Sequence, residues 1–308
     1  MAGEAIIDVV PEGDGVYLAR PGGSPLNVAV GLARLGQPTA LAGRLSADPF
    51  GTVFRQHLRQ SGVDLRHVLT APEPSTIALV ELSAGQARYE FSAGGSDFQW
   101  TDAELSFLPA GAAAVHFGSL ASWLPPGDAA LGTAIRRLRA SGEVLISYDP
   151  NVRPALQPEP DAAREQVERS VALAHVVKAS TEDVRYLYGP VELEAVAERW
   201  LDLGPGLVVV TAGADGATAW TKPGAIVRRP VYSAPVADTV GAGDALTSGL
   251  LDALGRREVL RPAAILSGLD AGELAQILDE ANLVAGLTCA RPGANPPWRA
   301  EVMAATAD

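Results

Sequence analysis

The segment with the clearest chemical signal is Asp238-Thr239-Val240-Gly241-Ala242-Gly243-Asp244-Ala245, followed by the helical pattern of Leu246–Leu254. Two glycines where a loop enters a helix let the backbone come close to a ligand. The free N–H groups of the first helical turn and the helix dipole favour an anion at that place. The segment predicts a phosphate-binding turn. For its Gly-x-Gly-Asp part alone, the alternative is an ordinary glycine-rich turn capped by the aspartate.

The longer string Asp-Thr-x-Gly-Ala-Gly-Asp resembles the signature of ribokinase-like (PfkB) carbohydrate kinases. This resemblance implies that Asp244 removes a proton from the attacking sugar hydroxyl. It also implies that the amides of Gly241, Ala242 and Gly243 stabilise charge on the transferred phosphoryl group. Phosphoryl transfer depends mainly on positioning, metal charge and preorganised donors, so these parts are the ones that the reaction needs.

Two segments near the N-terminus are similar to the sugar-binding parts of the same family. Gly3–Asp8 resembles its opening strand, which ends in an aspartate that holds sugar hydroxyls, and Pro21–Ala29 resembles its second signature. Taken alone, the latter segment also fits a turn and a helix that starts with Pro25 at its first position. The resemblance assigns sugar contacts to Asp8, Gly22, Gly23 and Asn27.

The motif Asp149-Pro150-Asn151-Val152-Arg153 bears on the choice of sugar, because it is similar to one in bacterial fructokinases and 2-keto-3-deoxygluconate kinases. Arg153 could reach a substrate carboxylate, hydroxyl or phosphate. Fructokinase-like relatives often carry Trp after the Leu of this motif, whereas Gln157 stands here. Arg88 and Tyr89, on a predicted lid, are further substrate contacts, although a solvent-exposed charge is the alternative for Arg88.

Three segments resemble the nucleotide side of the family's site. Lys178–Asp183 matches a strand end where relatives carry groups that organise phosphate and hydrated magnesium, and a plain helix-capping box fits the same spacing. Thr211–Gly216 matches a nucleotide-contacting turn, and a tight hairpin turn is its alternative. Asn282 and the Cys289–Gly293 loop resemble the adenine-side wall. The predicted nucleotide contacts are Lys178, Ser180, Thr211, Gly213, Gly216 and Asn282; the predicted metal-associated residues are Asp183 for Mg²⁺ and Asp238 for a monovalent cation such as K⁺.

The elements that must hold these residues alternate between strand and helix, as in Ala114–Phe117, Asp128–Arg139 and Val144–Tyr148. That order predicts a mostly parallel sheet, since crossovers between parallel strands need helices of this length. Further helices are predicted at Pro25–Leu35, Pro49–Gln60, Ala162–Ala172, Leu193–Leu203 and Gly272–Leu287. The resemblance implies a three-layer α/β/α sandwich that forms one kinase domain over residues 1–308.

A predicted hairpin interrupts this alternation: Thr76–Leu82 and Ala87–Ser92 are joined by Ser83-Ala84-Gly85-Gln86. With the strand-like run Gly15–Arg20 it could form a small β lid over a pocket. A plain surface hairpin fits the pattern equally well, and the resemblance favours the lid, with elements at about residues 9–21 and 72–98.

Composition excludes several classes of function. The 308 residues are 47% hydrophobic and carry a net charge of −12, so no broad positive field is available for nucleic acid or an anionic membrane. Cys289 is the only cysteine, which excludes an internal disulfide and a cysteine-based metal cluster. The N-terminus lacks a signal-peptide pattern, which favours the cytoplasm. The four histidines lack metal-ligand spacing: His57, His67, His116 and His175.

The function expected from the resemblance is transfer of the γ-phosphate of ATP to a primary hydroxyl of a ketose such as fructose. The second expectation is 2-keto-3-deoxygluconate, while ribose and nucleosides rank lower. ATP and Mg²⁺, with K⁺ as an option, are the implied cofactors, and a homodimer is expected by analogy. A silent sugar- or nucleotide-binding protein on the same fold is the alternative from another class, which an intact Asp244 and its glycines disfavour.

Overall fold

Strands and helices alternate in the computed structural model, which describes residues 1–13, 15–83, 86–92, 100–106 and 111–306, without the side chains of residues 80–89. The strands are β1 (Ile6–Gly13), β2 (Val16–Gly22), β3 (Gly43–Ser46), β4 (Val68–Ala71), β5 (Thr76–Ser83), β6 (Gln86–Phe91), β7 (Ala114–Gly118), β8 (Leu145–Asp149), β9 (Val176–Ser180), β10 (Leu207–Thr211), β11 (Ala217–Thr221) and β12 (Ile226–Arg229). The helices are α1 (Ser24–Arg34), α2 (Pro49–Gln60), α3 (Gly127–Ser141), α4 (Pro160–Val171), α5 (Thr181–Tyr188), α6 (Leu193–Leu203), α7 (Ala242–Arg256), α8 (Pro262–Ser267), α9 (Ala271–Cys289) and α10 (Arg299–Ala305).

The central sheet has the strand order β12-β11-β10-β9-β8-β7. Strands β7 to β10 run parallel, and β11 and β12 add antiparallel strands at one edge. The inner strands are short apolar runs such as Leu207-Val208-Val209-Val210, which is the composition of parallel strands covered on both faces. The predicted mostly parallel sheet is confirmed.

Helices cover both faces of this sheet, because neighbouring strand residues point to opposite sides. Ile146, Val177 and Val208 pack on one side against helices α3 to α6. On the other side, the neighbours of these residues pack against α1, α7, α8 and α9: Leu145, Val176 and Val209. The predicted three-layer α/β/α sandwich is confirmed. In the helical layer formed by α1, α7, α8 and α9, helices α1 and α7 lie side by side.

The predicted opening strand Gly3–Asp8 is wrong as a single element. Ala2, just before this segment, pairs with Ala42 beside β3 and with Phe117 of β7, and Gly3 N donates to Ala42 O at 3.1 Å. The backbone then leaves the sheet, and β1 begins at Ile6 in a different sheet. Asp8 is therefore the third residue of β1, which continues to Gly13, and not the last residue of a strand.

A separate four-stranded sheet has the order β2-β1-β5-β6 and is the lid. Its β5–β6 hairpin has the predicted strands, whereas Ala84 and Gly85 of the predicted turn lie outside the described residues. The sheet starts earlier than predicted, at Ile6, since β1 pairs with both β2 and β5. Residues 93–99 at the end of the predicted lid are also outside the described part.

Among the described residues, no helix combines the length and the apolar composition that spanning a bilayer requires.

Candidate active site

A cavity of about 260 Å³ lies between the lid sheet and the carboxyl ends of β7 and β8. Carboxyl ends of parallel strands are where α/β folds usually bind ligands. Six residues predicted for the site line it together: Asp8, Gly23, Asn27, Arg153, Gly241 and Asp244. These residues come from segments more than 200 positions apart, and only the fold brings them to one place.

Asp244 lies in the first turn of α7 and is held by side chains of α1. The Ser24 hydroxyl donates to Asp244 Oδ1 at 2.6 Å, and Asn27 Nδ2 donates to Oδ2 at 2.8 Å. Burial raises the pKa of Asp244 above its ordinary value, while these two hydrogen bonds lower it in part. The carboxylate is thus fixed in orientation and more basic than an exposed aspartate, as a general base requires.

Asp8 faces the same cavity from strand β1. Burial raises its pKa to about 6, Arg153 lowers it and the charge of Asp244 raises it. Gly22 packs directly against this carboxylate, because a Cβ there would lie 2.1 Å from Asp8 Oδ2. At Gly23, the φ of 98° and the backbone of Glu4 and Ile6 exclude a larger residue. The two glycines therefore let α1 begin close to β1.

The turn before α7 differs in one detail from the prediction that the amides of Gly241, Ala242 and Gly243 all stabilise the transferred phosphoryl group. Gly241 has φ 76° and caps the helix, and a Cβ there would lie 2.6 Å from Ala294 Cβ. The amide of Ala242 donates to Thr239 O at 3.2 Å, so it is already used within the protein. Gly243 follows in the first turn, whose N–H groups have no acceptor inside the helix. A ligand anion would therefore meet Gly241 and Gly243 more readily than Ala242.

Lys178 supplies a buried positive charge below this turn. Its Nζ lies 2.9 Å from Asp149 Oδ2, and both side chains are almost fully buried. Burial by itself lowers the pKa of Lys178, but the attraction of Asp149 outweighs it and raises the pKa overall. A Cβ on Gly243 would lie 2.8 Å from this ammonium group. The charge is therefore permanent at neutral pH and adjacent to the start of α7.

Arg153 lines the cavity from the loop after β8. Its NH1 group donates to Asn151 Oδ1 at 2.7 Å and to Asn151 O at 3.2 Å. Asn151 and Ser119 are two of the few non-glycine residues with positive φ among the described residues, at 42° and 52°. Both also line the cavity, so strained backbone is concentrated at its wall.

Arg88 and Tyr89 lie on β6, where their backbones pair with Glu81 and Val80 of β5. Their side chains fall outside the described part of the structure, so their predicted substrate contacts stay predictions. Phe91 of the same strand does line the cavity, which brings β6 to the site.

Ser180 and Asp183 form the capping box that was one of the two interpretations of their spacing. The Ser180 N–H and hydroxyl donate to Asp183 Oδ2, and the Ser180 hydroxyl accepts from Asp183 N. Val152 N donates to the other carboxylate oxygen at 2.7 Å, which ties α5 to the Arg153 loop. Three protein donors thus occupy Asp183, and its predicted association with Mg²⁺ stays a prediction.

The other predicted nucleotide contacts lie apart from the cavity and have partners of their own. Thr211 pairs with Ser180 at the carboxyl ends of β10 and β9, and Gly213 is in an exposed 3₁₀ turn between β10 and β11. Gly216 packs against backbone, since a Cβ there would lie 2.1 Å from Arg229 O. Asn282 Nδ2 donates to Pro230 O at 2.9 Å. Gly216 is therefore needed for the hairpin itself, and the nucleotide contacts stay predictions.

Asp238 connects the α7 turn to the C-terminal loop. Its Oδ1 accepts from Val240 N at 3.0 Å, and its Oδ2 accepts from Gly293 N at 2.7 Å. Within the described ranges, no group of three or more His, Cys, Asp or Glu side chains could hold a metal ion. The predicted monovalent-cation role of Asp238 stays a prediction, and its observed role is to tie two loops.

Some cavity residues were not predicted. Ser24 stood inside the second signature, but nothing in its local sequence shows that its hydroxyl bonds Asp244. Ser119 and Asn151 have conformations that the sequence does not report. Asp149 lies outside the cavity lining, and beyond the motif that contains it the local sequence gives no signal for it. Lys178 stands in an apolar strand, and a lysine buried there needs a nearby carboxylate. That requirement is the one sequence signal that predicts a partner such as Asp149.

Comparisons with known proteins support the kinase interpretation. A family model described as pfkB family carbohydrate kinase matches residues 5–301. A fructokinase of Rhizobium leguminosarum bv. trifolii is 34% identical, over 86% of this chain and 82% of the relative.

Two solved structures resemble the whole chain. A Vibrio cholerae O395 fructokinase with bound fructose, ADP and calcium is 30% identical, with a TM-score of 0.84 over 98% of this chain and 96% of that one. A Salmonella enterica aminoimidazole riboside kinase, solved with that riboside and an ATP analogue, is 29% identical, with a TM-score of 0.84 over 98% and 97%. With Asp244 in a cavity at the start of a helix, these matches show that the chain belongs to the pfkB family of carbohydrate kinases.

Proposed function

We propose that this protein is an ATP-dependent fructokinase that transfers the γ-phosphate of ATP to a primary hydroxyl of fructose. The observation that carries the proposal is the position of Asp244. Its carboxylate lies in the first turn of α7 and opens on the same cavity as Asp8, Asn27 and Arg153. Hydroxyl-binding groups, a base and a helix N-terminus therefore surround one space.

Asp244 acts as the general base in this proposal. It accepts the proton of the attacking hydroxyl while that oxygen bonds to the γ-phosphorus and the bond to the β–γ bridging oxygen breaks, which releases ADP. Ser24 and Asn27 hold the carboxylate by one hydrogen bond to each oxygen, which leaves lone pairs directed at the cavity. The raised pKa of Asp244 makes the proton transfer easier.

Positive groups near α7 stabilise the phosphoryl oxygens. The first-turn amides beside Gly241 and Gly243 act with the helix dipole, and Lys178 adds a full charge next to Gly243. Arg153 lines the same cavity from the loop after β8. These groups are fixed before the reaction, so little reorganisation is needed when charge moves.

Asp8 and Asn27 hold the sugar hydroxyls in this proposal, with Gly22 and Gly23 allowing the backbone to come close. A carboxylate substrate such as 2-keto-3-deoxygluconate would share the cavity with the carboxyl groups of Asp8 and Asp244. That repulsion favours a neutral sugar, although Arg153 could attract an acid. The Rhizobium leguminosarum relative and the Vibrio cholerae structure are both named fructokinase, which also favours a neutral sugar.

The nucleotide and metal complete the proposal. ATP extends from α7 towards Ser180, Thr211, Gly213, Gly216 and Asn282. Mg²⁺, when bound, would neutralise phosphate charge. Because three protein donors occupy Asp183, that residue fits a hydrated ion held mainly by phosphates better than direct coordination. K⁺ near Asp238 is the optional second ion.

Two broader points belong to the same proposal. The whole chain acts as one kinase domain with the lid sheet within it, in the cytoplasm, where ATP is available. A homodimer through the lid is supported by Val16 and Tyr17, which are 52% and 55% exposed on the edge strand β2.

The test is an ADP-release assay with ATP and Mg²⁺ over fructose, 2-keto-3-deoxygluconate, ribose and aminoimidazole riboside. Fructose should give the highest kcat/KM, and Asp244→Asn should lower kcat by roughly 10²–10⁴ without changing Tm appreciably. A higher kcat/KM for another of these compounds would identify that compound, and not fructose, as the substrate. Thermal stabilisation by a sugar without any ADP release would instead show a silent binding protein.

A further inference from the structure

Glu4 is a completely buried carboxyl group next to the cavity wall. Its Oε2 accepts from Ala121 N at 3.0 Å, whereas Oε1 lacks a well-formed hydrogen bond within the described part of the chain. Burial raises its pKa to about 7, and the nearby Ser119 hydroxyl and the Ala121 N–H offset that effect in part. A carboxyl group kept in such a place needs a reason, because an apolar residue would avoid its desolvation.

The residues that Glu4 contacts form a strained turn. Ser119 has φ 52° and ψ −153°, a conformation that normally requires glycine, and it caps the 3₁₀ turn Leu120–Ser122. Such a conformation persists only where several contacts fix it. Ser119 N donates to Asp149 O at 2.9 Å, and the Ala121 N–H to Glu4 fixes the next part of the turn.

This turn connects Glu4 with the residues that face the substrate. Asn151 Nδ2 lies 3.4 Å from Ser119 Oγ, and Asn151 Oδ1 accepts from Arg153 NH1. Ser119, Asn151 and Arg153 all line the cavity, while Glu4 lies behind them. Arg153 is the charged group that acts on Glu4, and Gly23 packs against the Glu4 carbonyl from the start of α1.

We propose that Glu4 is a positioning residue of the sugar subsite, which holds Ser119 in its strained conformation and thereby sets Asn151 and Arg153 at the cavity wall. The proposal rests on the proposed function, since it assumes that this cavity receives the sugar. The Ser119 hydroxyl can donate to ionised Glu4, which is how it lowers the pKa of that group, and it can rotate to accept from the protonated acid while the other Glu4 oxygen accepts from Ala121 N–H. Ionised Glu4 would in addition attract Arg153 away from the cavity.

The experiment compares wild type, Glu4→Gln and Glu4→Ala. Calorimetry gives the Kd for fructose, and steady-state kinetics gives kcat, the KM for fructose and the KM for ATP. Glu4→Ala leaves the Ala121 N–H unpaired, so the fructose Kd should rise by about tenfold or more while the KM for ATP changes less than twofold. Glutamine resembles the protonated acid, so Glu4→Gln should stay within about threefold of wild type at pH 6.5. Asp252→Asn, a buried carboxyl change remote from the cavity, should leave the fructose Kd unchanged even if it lowers Tm.

A second readout covers the case in which Glu4→Ala does not fold. Between pH 6.5 and 8.5 the fructose affinity of wild type should fall relative to that of Glu4→Gln, because only the wild-type group ionises there. Asp8 and Asp244 are present in both proteins, so their effect on fructose affinity cancels when the Kd of wild type is divided by the Kd of Glu4→Gln. Equal fructose Kd in Glu4→Ala and wild type, or a pH-independent ratio, would overturn the role of Glu4. If wild type does not bind fructose, the substrate assignment fails instead, and the same comparison is made with the sugar that it phosphorylates.

Discussion

The Ser24 hydroxyl donates a hydrogen bond to Asp244 Oδ1 at 2.6 Å, although 220 residues separate the two side chains. Ser24 is the first residue of α1, and Asp244 lies in the first turn of α7. The contact therefore joins the sugar-side signature to the phosphate-side signature. Its chemical effect is to favour the ionised form of the base.

Removal of this bond in Ser24→Ala should raise the pKa of Asp244 further. Because the base acts only when ionised, the acidic limb of the kcat/KM profile should move to higher pH, and activity at pH 6 should fall more than at pH 8. The measurement is the pH dependence of kcat/KM for both sugar and ATP. Ser267→Ala, an exposed change on α8, is the control, and identical acidic limbs in Ser24→Ala and wild type would contradict the prediction.

Gly241→Ala should impair both folding and catalysis. A Cβ at this position would lie 2.6 Å from Ala294 Cβ, and φ 76° is unfavourable for alanine. We expect a loss of about 1–3 kcal/mol in the free energy of unfolding, and a lower kcat because the α7 turn must shift. Urea unfolding and steady-state kinetics would measure the two effects. Gly142→Ala, at φ 70° with open space around it, provides the matched control for backbone strain alone.

Lys178→Met should be strongly destabilising because it leaves Asp149 buried without its partner. Loss of one member of a buried ion pair typically costs about 3–5 kcal/mol in the free energy of unfolding. The double variant Lys178→Met, Asp149→Leu should recover part of that loss, since no charge is then left unpaired. Urea unfolding of both variants tests this, and a double variant less stable than Lys178→Met alone would contradict it. Neither variant should regain normal kcat, because the charge below α7 is gone.

His116 should make the protein less stable as the pH falls below 6.5. Burial lowers its pKa to about 3, so between these values the unfolded chain binds a proton that the folded protein does not. One such group removes about 2 kcal/mol of stability between pH 6.5 and 5. Glu4 and Asp8 act in the opposite direction, because their pKa values are raised on folding.

The difference between His116→Gln and wild type isolates the histidine from those carboxyl groups. Glutamine can still bond Ser147 Oγ, which lies 3.0 Å from His116 Nδ1. The stability gap between the two proteins should therefore move in favour of the variant as the pH falls. Urea unfolding at pH 5, 6 and 7.5 provides the measurement, and a gap that stays constant would show that His116 does not titrate in this way.

Local sequence determined most of the secondary structure. Helices α2 and α6 have the predicted bounds, because each has an apolar face of helical period between residues that stop it. The glycines before Asp244 predicted a turn at a helix start, and α7 begins there. These features depend on residues close together in the chain, so the sequence alone contains the information.

Long-range geometry was decided by the tertiary structure. Asp8 lies inside a strand of the lid sheet and not at a strand end, because β1 pairs with β2 and β5 and continues to Gly13. The bonds Ser24–Asp244, Lys178–Asp149 and Glu4–Ala121 join distant segments, and the Ala242 amide is used by a turn that the motif does not reveal. Residue types set which contacts are chemically possible. Which of them form depends on how the layers pack, because packing alone fixes the distances between segments that lie far apart in the chain.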